Sequence, residues 1–123
     1  MKIVALLVAA LLIAGCGSTK KPDPYQRANV ALLDALPIYP GSTAPETTSS
    51  GTSTTRFAAR DWRLPAGRAA ETVIQWYEVK LPAAGWKLTG KSFDTLRATR
   101  HGAALSVGVR GGTLEVVANS RGF

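Results

Sequence analysis

Residues 95–119 read TLRATRHGAALSVGVRGGTLEVVAN. Two dipeptides in this stretch, His101-Gly102 and Gly111-Gly112, are two-residue hairpin signals, because such turns need positive φ at their centre. Each turn fixes a register. A turn at 101–102 sets Ala98 opposite Leu105 and Leu96 opposite Val107. A turn at 111–112 sets Val109 opposite Leu114, Val107 opposite Val116 and Leu105 opposite Ala118. All of these side chains fall on one face. Thr95, Arg97, Ser106, Arg110, Thr113 and Glu115 fall on the other. A slip of one residue would turn the apolar face outward, so two independent turns agree on one three-stranded antiparallel meander.

An apolar sheet face needs a cover. Upstream, Ala70, Val73, Tyr77 and Leu81 recur at spacings of three and four, flanked by Ile74 and Trp76, with Glu71, Gln75 and Glu78 facing outward. This predicts an amphipathic helix over about Arg68 to Pro82. Leu81-Pro82 and Gly85 end it, and Trp86-Lys87-Leu88 begins a short strand.

Further upstream, residues 56–64 turn apolar and aromatic. Phe57 and Ala59 share one parity, Trp62 and Leu64 the other. A strand with a bulge near Arg60-Asp61 places all four on one face. Residues 42–55 are rich in Ser and Thr with Pro45 and Gly51, which predicts a loop with a short edge strand near its start. Asp23-Pro24 opens a first helix, with Asp23 as N-cap and Pro24 in the first turn. Its expected buried stripe is Tyr25, Ala28, Leu32 and Leu36, beside Ala31, Leu33 and Ala35. Gln26, Arg27, Asn29 and Asp34 are its polar side, and Pro37 stops it. The predicted fold class is α+β in two layers, with helices on one face of an antiparallel sheet. The order is α-β-α-β-β-β, with three or four strands after the second helix, and residues 25–123 form a single domain.

The N-terminus is of another kind. Lys2 precedes an unbroken apolar run, Ile3 to Ala14, which ends in Ile13-Ala14-Gly15-Cys16. A basic residue, a short apolar stretch and small residues form the pattern of a secretory signal. Twelve apolar residues fall short of the roughly 20 that span a bilayer. The segment resembles a bacterial lipoprotein signal peptide ending in a lipobox. That resemblance covers residues 1–16. It implies a signal peptide over residues 1–15, a diacylglycerol on the Cys16 thiol, and a cleavage that leaves Cys16 first. Residues 16–24 then form the lipidated cysteine and its tether, with Lys20 and Lys21 near the headgroups. Two acyl chains, at about 0.8 kcal/mol per buried methylene, make such an anchor nearly permanent. The implied address is a cell membrane, lipid-anchored on its extracytoplasmic face, with inner and outer membrane both open. An ordinary cleaved signal would instead leave a free exposed thiol, which is a liability.

A second resemblance rests on Tyr39-Pro40-Gly41, Trp62-Arg63-Leu64-Pro65, Trp76-Tyr77 and Gly85-Trp86. This layout is similar to small uncharacterised bacterial lipoproteins and exported domains. It covers about residues 30–90 and implies the fold alone.

The chain has 123 residues and a formal net charge of +7, with one Cys and one His. Without residues 1–15, 108 residues remain, enough for one modest core. Scattered cations suit attraction to anionic lipid or envelope polymers, or serve solubility alone. Nucleic acid is not an expected partner of an exported domain. Lipidation uses the single cysteine, so no disulfide, thiolate metal site or cysteine nucleophile is expected. His101 in a tight turn lacks an oriented nucleophile. The carboxylates are spread out, and no cofactor or metal site is expected.

The expected function is a non-enzymatic binding or accessory domain in the cell envelope. Its partners are the membrane, through the anchor, and an envelope protein or anionic polymer. The alternatives are a weak binder of anionic lipid or polymer, and a small hydrolase with an unrecognised site. Candidate binding residues are Trp76, Arg97 and Arg110, with Lys87 near the latter two. Trp62 and Trp86 read as core edge. Trp76, on its helix flank, suits either core or an exposed groove. An exposed strand edge is a third means of recognition.

Overall fold

The computed structural model describes residues 24–46 and 57–123. Its elements are α1 (Pro24–Asp34), β1 (Thr43–Glu46), β2 (Ala58–Arg63), α2 (Ala70–Ala83), β3 (Lys87–Lys91), β4 (Thr95–Arg100), β5 (Ala103–Arg110) and β6 (Thr113–Asn119). The expected signal peptide, Cys16, the Asp23 cap and most of the Ser/Thr-rich loop lie outside the described residues.

The six strands form one antiparallel sheet in the order β1-β2-β6-β5-β4-β3. After β2, helix α2 carries the chain over the sheet to its far edge. Strands β3 to β6 then meander back until β6 meets β2. The fold class is α+β with both helices against the sheet, as the sequence implies. The sheet gains a four-residue edge strand, β1, at the start of the Ser/Thr-rich segment.

The two hairpin turns hold the predicted registers. Leu96 faces Val107, Ala98 faces Leu105, and Arg100 faces Ala103 across the first. Val109 faces Leu114 and Val107 faces Val116 across the second. His101 (φ 50°) and Gly102 (φ 82°) form one turn, Gly111 (φ 56°) and Gly112 (φ 81°) the other. Two central residues with positive φ twist a hairpin in the sense its strands require. Leu96, Leu105, Val107, Leu114, Val116 and Ala118 are fully buried.

Helix α2 covers this face with Val73, Ile74, Tyr77 and Leu81, as its periodicity predicts. Its C-terminus is closed by a Schellman pair. The Trp86 amide donates to the Leu81 carbonyl (3.0 Å) and the Gly85 amide to the Pro82 carbonyl (3.0 Å). Gly85 takes φ 91°, which favours glycine. Leu81 and Trp86, both buried, supply the apolar contact that accompanies this motif.

Two expectations need correction. Strand β2 has no bulge against β6: Ala58 to Arg63 pair one-to-one with Ala118 to Thr113. The inward parity is Ala58, Arg60, Trp62 and Leu64. Phe57 is 41% exposed, and Ala59 is on the outer face. An inward Arg60 is tolerated because its guanidinium reaches Asp34 at the end of α1 (2.7 Å). The stripe of α1 is also rotated. Gln26, Asn29, Leu33 and Leu36 are buried, while Ala28 and Ala31 are exposed and Leu32 is half-buried. Asn29 faces inward because the backbone that follows β6 offers it a partner, the Ser120 amide.

Candidate functional site

Three places bear on recognition: the uncovered sheet face, the corner around Trp76 and the clasp between α1 and the C-terminal segment.

The ladders order the uncovered face into cross-strand rows. One row runs Arg63, Thr113, Arg110; the next Asp61, Glu115, Gly108, Thr95. A third runs Ala59, Val117, Ser106, Arg97, Gly90, and Thr99 beside Lys87 lies beyond it. The structure therefore separates two candidate residues. Arg97 faces Ser106, and Arg110 lies four residues further along β5, about 13 Å at the usual strand rise. Arg97 belongs with Lys87, whose partner Thr99 is two residues on. Arg110 belongs with Arg63, on the other side of Thr113. All four cations are exposed. Between the two pairs, Asp61 stands directly opposite Glu115. Like charges in that relation oppose pairing. The face is thus banded in charge.

Two residues of this face, Arg63 and Asp61, were not singled out as belonging to it. The parity of β2 carries that signal, once Ala58 rather than Ala59 is matched with Trp62.

Trp76 is half-buried. Its ring stands edge-on to Tyr39 (centroids 5.5 Å apart, 74°) and to Tyr77 (4.8 Å, 83°). Lys80 Nζ lies 5.5 Å from the Trp76 ring centroid. These contacts give the ring a fixed pose at the core edge with part of its surface in solvent. Trp62 and Trp86 are buried, 4% and 5% exposed. The Tyr77 hydroxyl is buried and makes no hydrogen bond of normal geometry, with the Tyr39 backbone as a poorly aligned neighbour. Burial holds its ionisation well above the usual tyrosine range; the nearby Tyr39 backbone opposes this only in part.

The third place ties the start of the domain to its end. Asn29 Oδ1 accepts from the Ser120 amide (2.6 Å), and Asn119 Oδ1 accepts from the Arg121 amide (2.9 Å). The Tyr25 hydroxyl donates to the same Asn119 oxygen. The Arg121 guanidinium lies 4.1 Å from the Tyr25 ring centroid. Asn29 and Asn119 are buried. Sequence reasoning placed Gln26 and Asn29 outside. Their spacing with Leu33 and Leu36, three then four then three, is a helical stripe that only their polarity disguised.

Both sheet edges carry protection against further pairing. Strand β1 contains Pro45 and is irregular against β2; β3 carries Lys87 and Lys91 at its ends and a register shift between Leu88 and Gly90. Short length, Pro, Lys and bulges are the means by which edges are blunted. His101 is exposed at the tip of its turn. Among the described residues no three His, Cys, Asp or Glu side chains converge as metal ligands, and no helix is long and apolar enough to cross a membrane. No protein-family model matches the chain, and no curated protein and no solved structure matches it.

Proposed function

We propose that this chain is a membrane-anchored extracytoplasmic lipoprotein whose folded domain binds an envelope partner rather than catalysing a reaction. The observation that carries the reading is Cys16, the single cysteine, set behind Ala14-Gly15 at the end of a twelve-residue apolar run. The position of α1 supports it. The first described helix opens at Pro24, so the seven residues 17–23 are all the chain between Cys16 and that helix, a reach of at most about 28 Å.

Within the domain, the uncovered sheet face and Trp76 are the surfaces for a protein partner. Edge addition has less support because both edges are blunted. An anionic ligand laid along Arg97 and Arg110 has less support too, since the acidic pair Asp61 and Glu115 lies between their rows.

Mass spectrometry of the protein from its bacterial host tests the anchor. The expected product begins at Cys16 and carries a diacylglyceryl group, and Cys16→Ala releases the chain from membranes. An intact leader or an unmodified thiol removes the reading. Crosslinking in native membranes tests the binding surface. Arg63→Glu with Arg110→Glu, or Trp76→Ala, should abolish capture of a partner that the native chain retains.

A further inference from the structure

The charged side chains divide unequally between the two ends of the sheet. At one end β4 finishes at Arg100, β3 begins at Lys87, α2 finishes its last turn with Lys80, and Arg121 follows β6. Arg27 stands in the first turn of α1, which the clasp holds at this same end. None of the described Asp or Glu side chains belongs here. Asp34 is at the far end of α1 and Glu71 opens α2 at the opposite end. Asp94 sits in the β3–β4 turn at that opposite end, and Glu78 pairs with Lys91 (2.9 Å). Asp61 and Glu115 lie three ladder steps in from Ala58, about 10 Å at the usual strand rise.

Two of these cations are held in place. The Arg100 guanidinium lies 4.5 Å from the Trp86 ring centroid and donates to the Ala84 carbonyl (2.9 Å). Arg121 is stacked on Tyr25. Phe123, 67% exposed, lies at the same end, because a Cβ on Gly122 would come 3.2 Å from the Gly102 carbonyl oxygen. Phe57, 41% exposed, immediately precedes β2 there.

We infer that this end of the domain docks on an anionic bilayer. Cations at a surface gain energy from anionic headgroups within a Debye length, and exposed aromatics suit the headgroup boundary. Pro24 opens α1 at this end, so an anchor at Cys16 would pull on the same end. In that pose the strands stand off the bilayer, and the uncovered sheet face points sideways, open to a partner. The tether's contribution rests on the proposed lipid anchor; the charge asymmetry of the domain does not.

The test uses the full chain expressed in a bacterial host and purified in the form it matures to. It is placed with nanodiscs of POPC, or of POPC with POPG, carrying a gadolinium-chelate lipid. Relaxation enhancement is read on backbone amides. With POPG, amides 100–102 and 119–122 should broaden more than amides 92–95 and 110–113. Arg27→Glu with Lys87→Glu, both exposed and outside the stacks, should lower the docked population at least about fivefold per reversed charge. Arg68→Glu, exposed just before α2 at the other end, should leave it unchanged. Equal broadening of both ends with POPG overturns the inference, as does a bias that survives the double reversal. So does the absence of any POPG effect, which is what an acidic protein partner for this end would give. Mass spectrometry on the same sample reads the anchor separately. If Cys16 is unmodified, the anchor reading fails. Docking then stands only if free chain added to POPG discs still shows the bias and loses it with Arg27→Glu and Lys87→Glu.

Discussion

Helices α1 and α2 share one sheet face but hold to it by different physics. Helix α2 presents Val73, Ile74, Tyr77 and Leu81 to strands β3, β4 and β5. That contact is hydrophobic and has no required direction. Helix α1 lies over β2 and β6 and presents Gln26 and Asn29 beside Leu33 and Leu36. The Asn29 side-chain oxygen accepts from the Ser120 backbone amide that follows β6, and Asp34 meets Arg60. Those contacts act only in one pose. An apolar helix is held by area; a polar one is held in register. The helix next to the proposed anchor is the one whose position is specified bond by bond.

Deleting packing volume from α2 breaks the comparison most severely. Leu81 is fully buried and is also part of the Schellman closure. Leu81→Ala should cost about 2–5 kcal/mol of unfolding free energy, read from urea titration. A loss under about 1 kcal/mol would mean that α2 is not the principal cover of the meander.

Removing one partner of the clasp comes next. Asn29→Ala removes the acceptor of the half-buried Ser120 amide, together with a buried Nδ2 that has no partner, and should cost about 0.5–1.5 kcal/mol. Hydrogen exchange should speed at Ser120 and along α1, while the amides of β4 and β5 stay protected. Uniform acceleration over the whole sheet would show instead that α1 and the meander unfold as one unit.

Tyr77 sharpens the comparison from the other side, since its hydroxyl is the polar misfit of the apolar helix. Tyr77→Phe removes a buried unbonded group and should raise stability by up to about 1 kcal/mol. The fold favours the protonated phenol. The stability that preference contributes is full below about pH 10, the unfolded value, and is lost as pH rises through the higher folded value. Stability of the native protein should therefore fall from about pH 10 upward, and Tyr77→Phe should flatten that fall. An unchanged alkaline slope would place the titrating group elsewhere.

The smallest effect belongs to Arg60 and Asp34. The Arg60 side chain is 14% exposed and that of Asp34 62%. With one partner largely in solvent, a double-mutant cycle should give a coupling of about 0.2–1 kcal/mol. A coupling several times larger would make this pair, rather than the amides, the principal lock on α1.

The same contrast explains what could be read from the chain. The meander was legible because two turns independently fix one parity, and every apolar residue obeys it. Helix α2 was legible because its buried positions are apolar. The buried stripe of α1 lies one step from the apolar one, since Asn29 looks like a surface residue until the Ser120 amide stands beside it. A bulge in β2 follows from the sequence only if Phe57 and Ala59 point inward, and they do not. An inward Arg60 makes sense only once Asp34 stands opposite it. The outer face could be predicted for the meander. Lys87 lies near Arg97, as expected, but not near Arg110, whose grouping with Arg63 could not be predicted because it depends on β2 becoming the neighbour of β6. Trp76 is half-buried, as its place on the helix flank implied.

The blunted margins of the sheet matter most under the proposed lipid anchor, which would confine the domain to two dimensions. Proteins confined to a membrane plane meet one another far more often than the same number of copies diluted in a volume. A ladder with open flanks would, under such crowding, recruit its neighbours into ribbons. Under the proposed lipid anchor, Pro45 on one flank, and Lys87 and Lys91 on the other, would let many copies share a patch of membrane as separate molecules.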